Sequence, residues 1–205
     1  MNPRHNMRPT DYPIKLFEDQ KAWESWLARH GASKPGLWLR IAKKDSGLRS
    51  VNYAEALDVA LCHGWIDGQK LPENDRTWLQ KFTPRRARSI WSKINCEKTR
   101  ALIAAGRMRP AGQAEIDRAK ADGRWKAAYQ PQASTRVPPD LAKALAASPK
   151  AKAFFAVLSS RNRFAILFRV TTAKKPETRM RRIKDFVARL AKGEAPYPQR
   201  DSHLD

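Results

Sequence analysis

The chain has 205 residues, of which 41% are hydrophobic, and it includes seven Trp, so it carries enough apolar mass for one sizeable core or two small ones and is no disordered chain. Lys and Arg number 41 against 20 Asp and Glu, a formal charge of +21, which points to an anionic partner or to solubility by self-repulsion. No run of about 18 apolar residues occurs, so no membrane span is expected, and the N-terminal stretch lacks the apolar segment of a secretory signal, which leaves the cytoplasm as the expected compartment.

Residues 1–12 read as a flexible tail. Asp19 to His30 predicts a helix, with Trp23, Trp26 and Leu27 at i, i+3, i+4 and Gly31 placed to end it. Gly36 to Lys43 alternates Leu37, Leu39 and Ile41 against Trp38 and Arg40, the period of a strand. Asn52 followed by Glu55 has capping-box spacing and opens a helix to about Gly64, with Tyr53, Ala56, Leu57, Ala60 and Leu61 on its buried face. Trp65 to Gln69 and Arg76 to Phe82 read as a hairpin around Pro72 to Asp75. Helices follow from about Ser92 to Ala105 and from Gly112 to Asp122, each stopped by a glycine.

All seven Trp precede residue 126, and Pro131, Pro138 and Pro139 punctuate a polar stretch, so a linker is expected over 131–140. Residues 141–198 read as a basic helical unit, with Pro149 and Pro176 at helix starts and a last helix burying Met180, Ile183, Phe186, Val187 and Leu190. Residues 199–205 read as a tail. The fold class is thus α+β: an N-terminal Trp-rich domain over 13–130, with a small antiparallel sheet and several helices, then a small C-terminal helical unit.

Charge is localised. Residues 81–110 hold 9 basic and 1 acidic side chains (+8), and 141–205 hold 15 and 5 (+10). The first segment interleaves Arg85, Arg86 and Arg88 with Trp91, and Arg86, Lys93, Arg100 and Arg107 recur every seven residues. Guanidinium forks together with the N–H groups of a helix start suit a phosphate, sulfate or carboxylate. The expected pocket is framed by Trp65, Trp78 and Trp91 and bordered by Arg85, Arg86 and Asn95, with Gln80, Thr83, Ser89 and Ser92 as neutral donors. Asp67 and Gln69 in the first hairpin strand and Lys43 at the end of the preceding strand complete the candidate ligand-binding set. A solvated helix face with Trp91 in the core remains the plainer alternative.

Catalytic signatures are thin. His5, His30, His63 and His203 form no HxxxH or HExxH pattern and there is no CxxC, so no metal site is expected. Neither GxxxxGK nor GxGxxG occurs, so no nucleotide cofactor is expected either. Cys62 and His63 are adjacent, but consecutive helical residues point about 100° apart, and both Cys62 and Cys96 are expected to be free thiols. Asp67 suits a turn before Gly68 better than a general base.

The pieces Gly36 to Lys44 (GLWLRIAKK), Ala60 to Gly68 (ALCHGWIDG), Phe82 to Arg86 (FTPRR) leading to Ser89, Trp91, Ser92, Lys93 and Asn95, then Gly106-Arg107-Met108, Ala173 to Arg179 (AKKPETR) and Pro196-Tyr197-Pro198 occur in one chain. Together they resemble the YdeI/OmpD-associated proteins of bacteria, the OmdA-domain or bacteriocin-protection family, over about Trp23 to Pro198. The resemblance implies a YdeI/OmdA-like α+β domain over 13–130 and a role in protection against antimicrobial agents or envelope stress; it implies no reaction. Two functions follow as expectations. One is a non-enzymatic protein that binds an anionic or amphipathic small molecule or peptide. The other is a nucleic-acid-associated protein using residues 81–110 and 141–205 to contact phosphates, although no RRM, zinc-finger or homeodomain signature is present. The sequence leaves the oligomeric state open.

Overall fold

Capping chemistry sets the first boundaries. In the computed structural model, which describes residues 12–131 and 135–199, Asp19 accepts from the Ala22 N–H at 2.8 Å and starts α1 (Gln20–His30). Asn52 and Glu55 form the full capping box at the start of α2 (Tyr53–Cys62). Positions 1–11 and 200–205, with His5 and His203, and positions 132–134 of the Pro-rich stretch lie outside the described residues.

The chain divides into two compact units, Met1–Ala128 and Tyr129–Asp205. In the first, β1 (Ile14–Leu16), β2 (Leu37–Ala42), β3 (Trp65–Pro72) and β4 (Thr77–Pro84) form one sheet in the order β1-β2-β4-β3. The expected antiparallel hairpin is present as β3 and β4, and β4 pairs antiparallel with β2. The sheet is nevertheless mixed, because β1 joins β2 in parallel. A three-residue strand inside a stretch with no clean alternation leaves no period to read.

β2 sits between two neighbours and is buried on both faces. Leu37, Leu39 and Ile41 enter the main core with Trp23, Trp26, Leu27, Trp65 and Phe82, while Trp38 packs with Tyr12 and Leu79. Between Asp67 and Lys70 the β3–β4 register slips by one residue, a bulge. Gln80 fills it, donating from Nε2 to the Gly68 and Gln69 carbonyls at 3.0 and 3.2 Å. Gly64, at φ +73, turns the chain from α2 into β3.

Ser92 caps α3 (Lys93–Ala104) by accepting from the Asn95 N–H at 3.1 Å. α4 (Pro110–Ala121) then packs on the end of α2 through Gly112, where an added Cβ would lie 2.3 Å from the Cys62 carbonyl oxygen. Only glycine permits that approach. Tyr53, expected on the buried face of α2, is 38% exposed, because its hydroxyl turns outward to Asp67.

The second unit is four helices, α5 (Pro139–Ala146), α6 (Pro149–Ala156), α7 (Ser160–Thr171) and α8 (Pro176–Ala191), the first, second and fourth opened by proline. Its core joins Leu141, Leu145, Phe155, Leu158, Ile166, Leu167, Val170, Ile183, Phe186 and Leu190. Asn162, 1% exposed, binds the Tyr197 backbone as a strand neighbour would: it donates to the carbonyl at 3.0 Å and accepts from the N–H at 2.8 Å. That clamp holds the Pro196-Tyr197-Pro198 segment against α7. Met180 departs from expectation, being 65% exposed where the helical period places it in the core.

Candidate ligand-binding site

The residues singled out in the sequence divide among distinct surroundings. Trp65 is 1% exposed, stands edge-on to Trp23 and Trp26 at 6.2 and 5.9 Å, and donates from Nε1 to the Gly31 carbonyl at 3.1 Å. Trp78 packs against the same core from its margin, with Lys70 Nζ 4.1 Å above its ring and Tyr53 6.1 Å away. Asp67 accepts from the Tyr53 hydroxyl at 2.8 Å. Trp91 belongs to a different cluster, with Cys96, Ile116 and Ala119 and with Trp125 at 4.9 Å.

Arg85 and Trp91 do meet. The guanidinium lies 3.6 Å above the indole and donates to the Ile90 carbonyl at 3.4 Å, with the side chain 6% exposed. Arg124, also 6% exposed, donates to the neighbouring Ser89 carbonyl at 2.7 Å and is held by Asp122 at 2.6 Å. Two buried guanidinium groups thus fasten consecutive carbonyls of the loop between β4 and α3, and a cation stacked on Trp91 in a desolvated setting contributes about 2 kcal/mol to that arrangement. Ser89 accepts from the Arg86 N–H at 3.0 Å and Ser92 caps α3. Gln80 fills the bulge. These polar groups are spent on the fold.

The exposed members of the set are Lys43, Gln69 and Arg86, with Thr83 and Asn95 half-buried. Lys43 closes the end of β2 through its backbone N–H, which donates to the Arg76 carbonyl at 2.8 Å. Of the seven-residue basic series, Lys93 and Arg100 ride on α3, while Arg86 and Arg107 lie outside it. Arg124 and Asp122 escaped the sequence reading, in which Tyr53 is only part of a buried helix face. The only hint was an Arg directly before the last Trp, whose partner Ser89 is far away in sequence.

A cavity of about 520 Å³ lies over the end of α2, lined by Lys21, Glu24, Ser25, Ala28, His63 and Arg109. Arg109 Nη2 and Glu24 pair across it at 2.8 Å. Burial pushes the His63 imidazole below its ordinary 6.5, Glu24 opposing and Arg109 assisting. Burial likewise raises the Cys62 thiol above its ordinary value, with Arg107 and Arg109 opposing, which is the reverse of the shift that activates a cysteine nucleophile. The His63 shift has a testable sign. The unfolded chain takes up a proton near pH 6.5 and the folded chain only at lower pH, so the contribution to stability is complete above that value and declines as pH falls through it. His63→Gln is expected to flatten the urea-midpoint profile between about pH 5.5 and 7; an unchanged profile would show that His63 does not titrate differently on folding.

In the second unit, α5 and α8 flank a groove of about 540 Å³. Its walls are Ala144 from α5 and Ala147 just past its end, with Met180, Ile183, Val187, Ala188 and Ala191 from α8. Asp140 and Lys184 stand at its margin, and Asp140 is engaged by Arg179 Nε and Nη2 at 2.5 and 2.9 Å. Arg179 holds that carboxyl below its ordinary value. The apolar stripe of α8 is wider than the helices packed on it can cover, and Met180 marks the excess. Alanines at i, i+3 on both walls were the missed signal.

No helix among the described residues is long and apolar enough to cross a membrane. Neither the curated proteins nor the solved structures contain a match to the chain. Two family models match it: a domain of unknown function (DUF8412) over residues 15–115, and the family described as "Bacteriocin-protection, YdeI or OmpD-Associated" over residues 134–193. The second match spans the groove-bearing helices and the first spans the Trp-rich sheet. Residues 134–193 are therefore similar to the bacteriocin-protection, YdeI or OmpD-associated family, and the stretch before them to a domain of unknown function.

Proposed function

We propose that the chain is a non-enzymatic binding protein that captures an anionic or amphipathic molecule, a small compound or a peptide, and that this capture underlies a protective role of the kind the family name describes. The observation that carries the reading is the α5–α8 groove: an apolar trough within the matched domain, with Asp140 and Lys184 at its margin and exposed Arg181 on α8 and Lys192 at its end. Concave, mostly apolar sites with a few oriented polar groups are the usual form of small-ligand pockets.

Thermal-shift measurements with decanoate, an aryl phosphate and an acidic amphipathic peptide test this directly. A probe at 100 times its Kd stabilises the folded state by about 2.7 kcal/mol, which for a unit of this size raises Tm on the order of 10 °C. No shift with any of the three at millimolar concentration would end the proposal.

A second reading, association with nucleic acid, is favoured by the cations of the second unit. Its basic side chains exceed its acidic ones by ten over 141–205. Among the described residues there, ion pairs tie Arg179 to Asp140 and Arg189 to Glu194, while Lys143, Lys150, Lys152, Lys174, Arg181 and Lys184 are exposed.

A further inference from the structure

We infer that the α5–α8 groove is the docking site for an acidic amphipathic α-helix of another protein. The inference rests on the binding reading above and narrows its ligand to one class. Shape is the first reason. From Met180 to Ala191 the α8 wall runs about 16 Å, three helical turns, and the apolar residues along it are spaced to receive anchors at i, i+3 or i+4, and i+7 of an incoming helix. The alanines on both walls carry no side chain beyond Cβ, which lets a third helix lie close to two existing ones. At one end Met180, flexible and polarisable, can adapt to the first anchor.

Charge is the second reason. Arg181, Lys184 and Lys192 are exposed, and helical spacing sets them along the solvent side of the α8 wall; Lys143 is exposed beside the α5 wall. The acidic groups nearby are Asp140, already neutralised by Arg179, and Glu177 and Asp185 on α8. Cations prevail, so the polar face of the occupant carries Glu and Asp. A second copy of the chain is a poorer partner on the same ground, because each copy carries its own excess of ten positive charges over 141–205, so two copies repel one another. A cationic amphipathic peptide is opposed likewise.

The test uses the full chain and a fluorescent 18-residue peptide, capped at both ends, with Leu at i, i+3, i+4 and i+7 and Glu on the opposite face. Anisotropy at about 150 mM salt is expected to show saturable binding, at least about tenfold weaker for a scrambled peptide with its Leu dispersed and for one with Lys replacing Glu. Met180→Glu, at an exposed position, is expected to weaken the acidic peptide by about tenfold or more with an unchanged melting temperature. Equal binding of the scrambled peptide, or indifference to Met180→Glu, would overturn the inference. Decanoate separates the two levels: if it binds and is lost with Met180→Glu while the helical peptide does not bind, the groove is a small-molecule site, and the helix inference fails while the binding reading stands. If neither of them binds, nor the aryl phosphate, both fail. Sedimentation showing a dimer that Met180→Glu dissolves would assign the groove to self-association instead.

Discussion

Trp65→Ala is expected to destabilise the Trp-rich unit strongly, lowering its urea midpoint, rather than to leave its stability intact and weaken only a ligand site. The indole is 1% exposed, sits edge-on to Trp23 and Trp26, and satisfies the Gly31 carbonyl. Truncating a buried aromatic to alanine costs about 3–5 kcal/mol, a large share of the roughly 5–15 kcal/mol typical of a whole domain. The Gly31 carbonyl would lose its partner as well. Trp65→Phe keeps most of the ring and discards the N–H, so it should fall between wild type and Trp65→Ala, with the missing hydrogen bond contributing about 1 kcal/mol of the difference. Urea unfolding followed by far-ultraviolet circular dichroism reads both. A folded Trp65→Ala protein with an unshifted midpoint would return the indole to the role of a pocket wall.

Tryptophan 65 thus reads in the sequence as a pocket wall and stands in the structure as core, whereas the helix starts were legible because their chemistry is local. Asp19, Asn52 and Ser92 each reach an N–H three residues on, and the spacing is visible in the chain. The β3–β4 hairpin was legible for a similar reason, two alternating runs around a Pro-Glu-Asn-Asp turn. The candidate site was not, since an aromatic beside an arginine reads alike whether it faces solvent or core. Arg85 on Trp91 has the chemistry of anion recognition and is used to pin a loop, with Arg124 supplied from 35 residues away. Gln80 looked like a free donor and fills a bulge that only the pairing register reveals. The groove went unseen for the opposite reason: alanine advertises no chemistry, and the surplus on the apolar face of α8 is defined by what α5 leaves uncovered.

Affinity for duplex DNA is expected to depend steeply on salt, and that dependence distinguishes the two functional readings. Four neutralised phosphates give a log–log slope of roughly −3.6, so raising salt from about 50 to 200 mM should weaken binding by roughly 150-fold. Binding of an acidic helix in the α5–α8 groove draws much of its free energy from apolar burial at Met180, Val187 and the alanines, which salt does not screen; its weakening over the same range should be several-fold smaller. The cations to reverse are Arg181 and Lys174, both exposed. Arg182 is unsuitable because its guanidinium donates to the Arg169 carbonyl and is part of the fold. Arg181→Glu with Lys174→Glu should reduce the DNA slope by up to about 1.8, at about 0.9 for each phosphate no longer neutralised. DNA binding that survives about 200 mM salt, prefers one sequence and is abolished by those substitutions would give the second unit to nucleic acid. Weak binding that disappears at that salt is what any chain of charge +21 does to a polyanion, and it would give the nucleic-acid reading no support.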